Sequence, residues 1–373
     1  MSNLSVNTIT DALGGSTASI NGLTPQASNM AATFNRIING AMTVDQRNAG
    51  TAVTNVNVYV TDRWQQFAGG GGAITWQQSA TAPAGFKYSL SATVTTADSS
   101  LGTGDYYFLR QFIEGFNSAD LEFGTANAKT VTLSFWVRSS LTGTFGGCLQ
   151  NSGVNRFYPF TYTISVANTW EYKTVTIAGD MTGTWLTTNG AGIGVDFALG
   201  FGSSYLGAAG SWTASQHYSA TGATSLVGTS GATFYITGVQ LEAGSTASPF
   251  AHENYGDTLQ KCQRYCQAVK GIDASNYYTR IGYGPCSGAT AGIAQYKPFV
   301  PFRANPTYTT SGNFAVYDGV TVIAVTSILA DGSTTPYSVI IGWTCASGGQ
   351  STRAYELIIN NDLNAKFFFN AEL

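Results

Sequence analysis

Hydrophobic and polar residues alternate with a period of two over much of the chain between Ile37 and Phe250. Such alternation predicts strands with one buried face, and it occurs at 55–60, 86–94, 130–137, 160–166, 170–177, 192–199 and 232–241. Clusters of turn residues separate these segments at intervals typical of sandwiches, and the glycine run at 69–72 indicates a loop. We therefore predict an antiparallel jelly-roll sandwich over residues 35–255.

The alternation resumes after residue 272 in shorter segments. They lie at 277–283, 290–296, 307–317, 320–329, 337–343 and 354–359, and Asp318-Gly319 and Asp331-Gly332 are hairpin signals. The apolar stretch at 366–369 is expected to be tied into a sheet. Residues 272–373 are therefore predicted to form a second, smaller β-sandwich domain, which makes the fold class all-β.

One helix is predicted, over residues 257–269, within a short helical linker at 256–271. Leu259, Cys262, Cys266 and Val269 follow one another at spacings of three, four and three, which is a heptad seam. A seam this short does not hold a coiled coil alone. It predicts either an oligomer interface on a symmetry axis or an ordinary amphipathic helix that packs on a sheet of its own chain.

The first 34 residues differ in character from the rest. They carry a single charged residue, Asp11, and two short strand-like segments, and they have neither the charged nor the apolar region of a signal peptide. Two short strands do not form a core. We expect an extended N-terminal arm that orders against another protein, the alternative being an unstructured terminus.

Composition supports the fold class and limits the partners. Gly, Ser and Thr make up 125 of the 373 residues, charged residues only 10% and aromatic residues 13%, which suits short strands joined by small-residue turns. The net charge of −3, without any cluster of Lys or Arg, argues against nucleic-acid binding and against a polybasic membrane anchor. No apolar run is long enough to span a membrane.

Candidate chemistry is sparse in this sequence. The odd number of cysteines, without a repeated spacing, argues against a disulfide framework, and the two histidines fit no zinc spacing. Nucleophile, zinc-protease and phosphate-loop motifs are missing. The few acidic residues, such as Asp180 and Asp196, are more typical of strand ends than of a glycosidase pair. We therefore expect a protein that is not an enzyme.

Binding is better supported, because two loops combine aromatic side chains with amide and basic groups. The first loop provides Asn151, Asn155, Arg156 and Tyr158, and the second provides Tyr205, Trp212, His217 and Tyr218. Aromatic residues in a surface loop of small residues predict contact with a ligand. The alternative is that these rings cover the edge of the sandwich. In the second β-region, Tyr277, Tyr278, Tyr283 and Trp343 are weaker candidates.

An ordered series of segments resembles a module of bacteriophage and prophage tail fibre proteins. The segments lie at 35–42, 45–47, 59–64, 133–139, 182–185, 234–244, 248–250 and 263–265, and Gly238-Val239-Gln240-Leu241-Glu242 ends the last strand of the module. The resemblance spans residues 35–265, whereas the last hundred residues lie outside it.

The resemblance implies a jelly-roll like that of carbohydrate-binding modules. It also implies a homotrimeric virion protein, assembled in the host cytoplasm, that attaches to another virion protein through residues 1–34 and contacts a host surface glycan. Jelly-rolls of this kind often carry a structural Ca²⁺ held by oxygen ligands, which the sequence does not locate, and no other cofactor is expected. Two alternatives stay open, namely a capsid decoration or head fibre protein and a glycan depolymerase.

Overall fold

A computed structural model describes residues 35–54, 56–271 and 279–373 as an all-β protein with two units. The all-β prediction is confirmed. The predicted N-terminal arm, the candidates Tyr277 and Tyr278, and residue 55 lie outside the described residues. The predicted domain boundaries stay predictions.

The first unit is the jelly-roll. Its strands are β1 (Tyr59–Thr61), β2 (Trp64–Gly69), β3 (Ala73–Ser79), β4 (Ser89–Thr96), β5 (Tyr106–Glu114), β6 (Val131–Ser139), β7 (Gly143–Asn151), β8 (Phe157–Ile164), β9 (Glu171–Ile177), β10 (Ala191–Phe201), β11 (Leu206–Gly207), β12 (Ser219–Ala220) and β13 (Thr233–Ala243). Short 3-10 helices lie at Gly115–Asn117, Ala119–Leu121 and Ser203–Tyr205.

Two sheets of the jelly-roll face each other. One has the order β1-β2-β5-β10-β7-β8 and the other the order β3-β4-β13-β6-β9, with antiparallel neighbours throughout. The inward side chains of both sheets form one core. Phe135 on β6 lies at its centre, with its ring 4.9 Å from that of Tyr162 and 5.0 Å from that of Phe197.

Two segments of the tail-fibre resemblance, 35–42 and 234–244, pack against each other. The backbone N–H of Arg36 donates to the carbonyl of Leu241, and that of Val239 donates to the carbonyl of Gly40. An added Cβ at Gly40 would lie 2.1 Å from the Val239 oxygen, so only glycine allows this approach. The two motifs are therefore one structural feature that closes the jelly-roll.

The second unit begins after one helix, α1 (Tyr255–Gln263). Its strands are β14 (Cys266–Lys270), β15 (Arg280–Pro285), β16 (Ala291–Tyr296), β17 (Thr307–Ser311), β18 (Phe314–Tyr317), β19 (Val322–Ala330), β20 (Val339–Cys345), β21 (Ala354–Ile359) and β22 (Lys366–Asn370).

This C-terminal unit differs in detail from the sandwich expected for residues 272–373. Six strands close into a barrel of order β15-β16-β20-β19-β18-β21, and β14, β22 and β17 form a three-stranded sheet beside it. Trp343 and Tyr355 are buried in the barrel, and Phe367 and Phe369 are buried under the small sheet. The expectation that residues 366–369 are tied into a sheet is correct, since β22 is the central strand of that sheet.

The predicted heptad seam is wrong. The helix ends at Gln263, and Cys266 and Val269 lie on β14, where they pair with Asn370 and Phe367 of β22. Cys262, Cys266 and Val269 are buried within this chain, while Leu259 is half-buried. Three of the four seam residues therefore pack in the core of this chain. They do not form a continuous surface on which a second copy could pack.

An ion-pair network joins the two units. Glu372 of the C-terminal unit lies 2.7 Å from Arg47 and also pairs with Arg63, both from the jelly-roll. A second pair has its acidic residue in the jelly-roll, since Arg264, which follows α1, binds Glu114 of β5 with two hydrogen bonds of 2.5 and 2.9 Å. The side chains of Glu372, Arg47, Arg63 and Glu114 are almost fully buried, and buried charges require their partners. The network therefore fixes the C-terminal unit against the six-stranded sheet.

Candidate functional site

Strand β5 carries apolar or aromatic side chains on both faces. Those that face the core are Tyr107, Leu109 and Ile113. Those on the opposite face are Tyr106, Phe108 and Phe112, with Arg110 between the two phenylalanines. A strand whose outer face is open to water would carry mainly polar residues there. The outer face of the six-stranded sheet is therefore the surface on which a ligand site is expected.

A groove of about 200 Å³ lies on this outer face. Strands β2, β5 and β10 provide its floor, and the segment between β10 and β12 provides its wall. We call it the aromatic groove, and it is lined by Phe67, Tyr106, Phe108, Arg110, Phe201, Tyr205, Gln216 and Tyr218.

The rings of the groove hold one another in place. Phe67 and Phe108 stack with their centroids 4.9 Å apart and their planes at 9°, and Tyr218 and Phe201 stack at 5.6 Å and 6°. Tyr205 meets Tyr218 edge to face at 5.6 Å. Such contacts stabilise each ring by about 0.5–1.5 kcal/mol beyond its buried area. The aromatic surface is therefore formed before any ligand binds.

The wall of the groove is tied to the sheet by backbone contacts. The short strands β11 and β12 pair in parallel, and the N–H of Tyr218 donates to the carbonyl of Tyr205 at 2.9 Å. Ser219 lies so close to β7 that a Cβ added at Gly146 would be 2.1 Å from its Oγ. Gly146 thus allows the wall to lie directly on the outer face.

A buried ion pair lies beneath the rings. Arg110 donates from Nε and Nη2 to Asp196 on β10 at 2.6 and 2.8 Å, and Asp196 is fully buried. Burial disfavours the Arg110 cation, but attraction to Asp196 outweighs it and the pKa of Arg110 is raised. The guanidinium also lies within 4.7–5.7 Å of four ring centroids. The groove therefore offers a fixed planar donor whose charge is balanced.

The hydroxyl of Tyr218 is a second polar group of the groove. Burial, opposed by the nearby Arg110 cation, raises the pKa of Tyr218 to about 12. The phenol is therefore protonated at neutral pH and is able to donate a hydrogen bond as well as to accept one.

The structure brings together only some of the residues predicted to bind a ligand. Tyr205 and Tyr218 line the aromatic groove. His217 packs against the backbone of Gly207, where an added Cβ would lie 2.0 Å from Nδ1, and it is not one of the residues that line the groove. Two of the eight predicted residues therefore lie in the wall of the groove, and their predicted binding role stays a prediction.

The other five predicted residues form a separate cluster that is engaged within the protein. Asn151 is buried and donates to Asn155 and to the carbonyl of Thr184. Arg156 binds Asp180 with two hydrogen bonds of 2.6 and 2.8 Å. The predicted binding role of this cluster, which comprises Asn151, Asn155, Arg156, Tyr158 and Trp212, stays a prediction.

Trp212 and Tyr158 cover the sandwich edge, as the alternative interpretation of this loop expected. Their rings meet at 5.2 Å, and the Trp212 ring also lies 5.3 Å from that of Trp185. The indole N–H of Trp212 donates to the carbonyl of Ala178 at 2.7 Å. Packing inside the chain therefore accounts for both side chains.

Six groove residues were not predicted from the sequence. Gln216 lies in the segment before β12, and the other five lie on strands, namely Phe67, Tyr106, Phe108, Arg110 and Phe201. The available signal was the segment Tyr106–Phe112, in which three of the four outward positions are aromatic. The Tyr106 ring packs directly on Gly69 of β2, where an added Cβ would lie 2.7 Å from the ring.

Within residues 35–54, 56–271 and 279–373, no group of three or more His, Cys, Asp or Glu side chains is placed to hold a metal ion. No helix in the described part of the chain is long and apolar enough to cross a membrane.

Comparisons with known proteins give matches in structure only. No family model and no curated protein matches the sequence. Among solved structures, the enzymatically active domain of tailspike protein 4 of bacteriophage CBA120 is 13% identical, with a TM-score of 0.31. The match covers 57% of this chain and 22% of that chain, so this chain spans about a fifth of the tailspike domain.

Carbohydrate-binding modules are also among the similar structures. The family 11 module of Clostridium thermocellum, solved with a mixed-linked tetrasaccharide, is 12% identical, has a TM-score of 0.27 and covers 53% of this chain and 97% of its own. The N-terminal cellulose-binding domain of Cellulomonas fimi β-1,4-glucanase C is 14% identical, has a TM-score of 0.25 and covers 51% of this chain and 99% of its own. These scores and identities are low, and we draw no functional conclusion from them.

Proposed function

We propose that the protein binds a glycan in the aromatic groove. The observation that carries this proposal is the combination of four accessible rings, Phe67, Tyr106, Tyr205 and Tyr218, around the fixed donor Arg110. Aromatic faces bind the apolar faces of sugar rings, and a few oriented polar groups select their hydroxyls. The packing among the rings supports the proposal, because a preformed site loses little conformational entropy on binding.

The proposed ligand is a neutral or weakly charged glycan. Arg110 is the only ionisable side chain with a permanent charge in the groove lining, and Asp196 balances that charge from below. A strongly anionic ligand would compete with Asp196 for the same guanidinium. Hydroxyl groups, by contrast, fit the planar N–H donors and the Tyr218 phenol without adding charge.

We propose binding without cleavage. Glycoside hydrolysis needs two carboxyl groups on either side of the scissile bond, one of them with a raised pKa as acid. Two carboxylates on the strands that form the groove floor are held by other groups, Asp196 by Arg110 and Glu114 by Arg264 and Tyr265. Burial opposes ionisation of Glu114, but the hydrogen bonds from Arg264 and Tyr265 outweigh it and lower its pKa, so Glu114 is unsuited to donate a proton. Burial raises the pKa of Asp196 despite the attraction of Arg110, but Asp196 is fully buried beneath the rings and does not line the groove, so it does not reach a bound ligand.

We further propose that the chain is a receptor-binding fibre protein on the surface of a bacteriophage particle. The ordered motif series from residue 35 to residue 265 supports this assignment, with residues 1–34 as the attachment to another virion protein and the homotrimer as the assembly. Because Cys262, Cys266 and Val269 are buried in the chain, contacts between copies would use other surfaces. Antibody labelling of virions tests the location, and label confined to the capsid would contradict a tail fibre.

The binding proposal is tested on an array of bacterial surface polysaccharides with the full chain and two variants. Tyr106→Ala removes a ring of the groove, and Tyr172→Ala removes a 40% exposed tyrosine from β9 in the opposite sheet. Tyr106→Ala is expected to weaken binding at least tenfold, about 1.4 kcal/mol, and Tyr172→Ala to leave it unchanged. Absence of binding to any glycan, or equal effects of the two variants, would contradict the proposal.

A further inference from the structure

The outer face of the six-stranded sheet continues beyond the aromatic groove towards the C-terminal unit. In the sheet register, Asp196 is opposite Arg110, Arg110 is opposite Gln65, and Gln65 is opposite Tyr59 on the edge strand β1. Adjacent strands are about 4.8 Å apart, so Tyr59 lies roughly 10 Å from Arg110 across the sheet. Gln65 is next to both the groove and the edge.

A second cavity, of about 400 Å³, opens at this edge. It lies between β1 and the small C-terminal sheet, and its lining includes Asn57, Tyr59 and Gln65 from the jelly-roll and Phe368 and Asn370 from β22. We call it the interunit cleft. Neither unit forms the cleft alone.

One wall of the cleft is rigid and its charge is balanced. The Arg47 guanidinium lies between two rings, 4.4 Å from the centroid of Tyr59 and 5.0 Å from that of Phe368. Glu372 binds the same guanidinium at 2.7 Å. The Tyr59–Arg47–Phe368 stack therefore joins the two units and fixes the width of the cleft.

Two amide side chains of the cleft, Gln65 and Asn370, have only part of their hydrogen-bonding capacity in use. Gln65 donates from Nε2 to the carbonyl of Asn57, and Asn370 accepts through Oδ1 from the N–H of Glu372. Within the described part of the chain, no partner is found for Gln65 Oε1 or Asn370 Nδ2. One free acceptor and one free donor in a neutral cleft suit the hydroxyl groups of a sugar.

We propose that the aromatic groove and the interunit cleft are two subsites for one oligosaccharide, which passes over Gln65 and contacts both units. This inference rests on the proposed glycan-binding function. Ligand sites are commonly about 300–1,000 Å³ in volume, so the groove of about 200 Å³ is small for a whole ligand. The cleft supplies the missing volume on the same sheet face and within reach of the same chain. The C-terminal unit is then part of the receptor site, and the ligand is a linear segment of several sugars instead of a single terminal residue.

The test uses the polysaccharide that binds best on the array, partially hydrolysed and fractionated by size from di- to octasaccharides. Affinities are measured by calorimetry on the full chain. We expect the hexasaccharide to bind at least tenfold more tightly than the disaccharide. Asn370→Ala is expected to weaken hexasaccharide binding by about fivefold to tenfold, as for the loss of one hydrogen bond, and to leave disaccharide binding unchanged.

Two further variants keep this result interpretable. Gln65→Ala removes the unpaired Oε1 acceptor and leaves the C-terminal unit unchanged. Like Asn370→Ala, it is expected to weaken hexasaccharide binding and to leave disaccharide binding unchanged. Asn364→Ala, at an exposed asparagine of the same unit outside the cleft, is the matched control and should bind every fragment normally. A melting temperature equal to that of the unmodified chain separates loss of contact from loss of folding.

The outcomes separate this inference from the function on which it rests. If no polysaccharide binds, the glycan-binding proposal fails, and this inference fails with it. If fragments bind, Tyr106→Ala weakens them all, and affinity does not rise with length, the function stands and the two-subsite inference is overturned. The same conclusion follows if Asn370→Ala and Gln65→Ala bind the hexasaccharide as tightly as the unmodified chain.

Discussion

The contrast between Trp212 and Phe67 gives the sharpest prediction. Both rings are half-buried, but Trp212 packs on the sandwich edge, whereas Phe67 lines the groove. Replacing a buried Trp by Ala costs about 3–5 kcal/mol, and the Trp212 indole also loses its hydrogen bond to Ala178, worth about 1 kcal/mol. Because the ring is only half-buried, we expect Trp212→Ala to lower the free energy of unfolding by about 3 kcal/mol and to leave glycan affinity unchanged.

Phe67→Ala should differ from Trp212→Ala in its effect on affinity. Replacing the half-buried Phe67, which stacks on Phe108, should cost about 2–3 kcal/mol in stability, but it also removes part of the binding surface, so affinity should fall about tenfold. Stability is measured by urea unfolding followed by far-ultraviolet circular dichroism, because loss of a Trp alters fluorescence. Affinity is measured by calorimetry with the glycan that the unmodified chain binds. Reduced affinity of Trp212→Ala at unchanged stability, together with normal binding by Phe67→Ala, would refute the placement of the site in the groove.

Three further predictions concern the contacts that stabilise the fold. The Tyr265 hydroxyl donates to Glu114 at 2.6 Å, so Tyr265→Phe should lower the free energy of unfolding by about 2 kcal/mol, while Tyr255→Phe, at a 60% exposed position, should not change it; equal effects would contradict this. Burial raises the pKa of Glu114, but hydrogen bonds from Arg264 and Tyr265 outweigh it and the pKa is lowered below 4.5. The stabilisation from Glu114 is therefore complete above the unfolded pKa and is lost as the pH falls through the folded pKa. The difference in unfolding free energy between the unmodified chain and Glu114→Gln should shrink on acidification below pH 4.5, and a growing difference would be contrary evidence. All five cysteines are free and buried, so a thiol reagent should label them only after denaturation, and rapid labelling of the folded protein would contradict their burial.

The strands that the sequence predicted share one property. Strands β6, β10 and β13 overlap the predicted segments at 130–137, 192–199 and 232–241, each of which alternates in the sequence. Among the strands outside the predicted segments, β5 and β7 are covered on both faces, by the core on one side and by the groove or the β11–β12 segment on the other. Covering both faces weakens the alternation of a strand, but it does not account for every strand, since β10 was predicted although both of its faces are buried, and β2 was not predicted although its burial alternates.

The helix error has a different cause. The apolar spacing of three and four residues continues past Gln263 to Val269, and nothing local distinguishes a longer helix from a helix followed by a strand. The deciding partner is β22, which begins at Lys366 and pairs with β14 residue by residue. Tertiary pairing of this kind overrides local periodicity, and no pattern within a window of a few turns contains it.

The second predicted loop shows that an aromatic residue among small residues does not by itself predict contact with a ligand. Trp212 and Tyr218 are six residues apart in the same kind of sequence, yet one packs against the jelly-roll core and the other forms the groove wall. The loop changes its role between them because Thr213 pairs with Phe157 at the sheet edge, whereas Ser219 rests on Gly146 of β7 over the outer face. The position of each part of the loop therefore depends on these two contacts, with Phe157 and with Gly146, which are far away in the sequence. The stronger local evidence was therefore the strand, since an outward row of Tyr106, Phe108, Arg110 and Phe112 needs a covering partner, and the part left open to solvent is where a ligand fits.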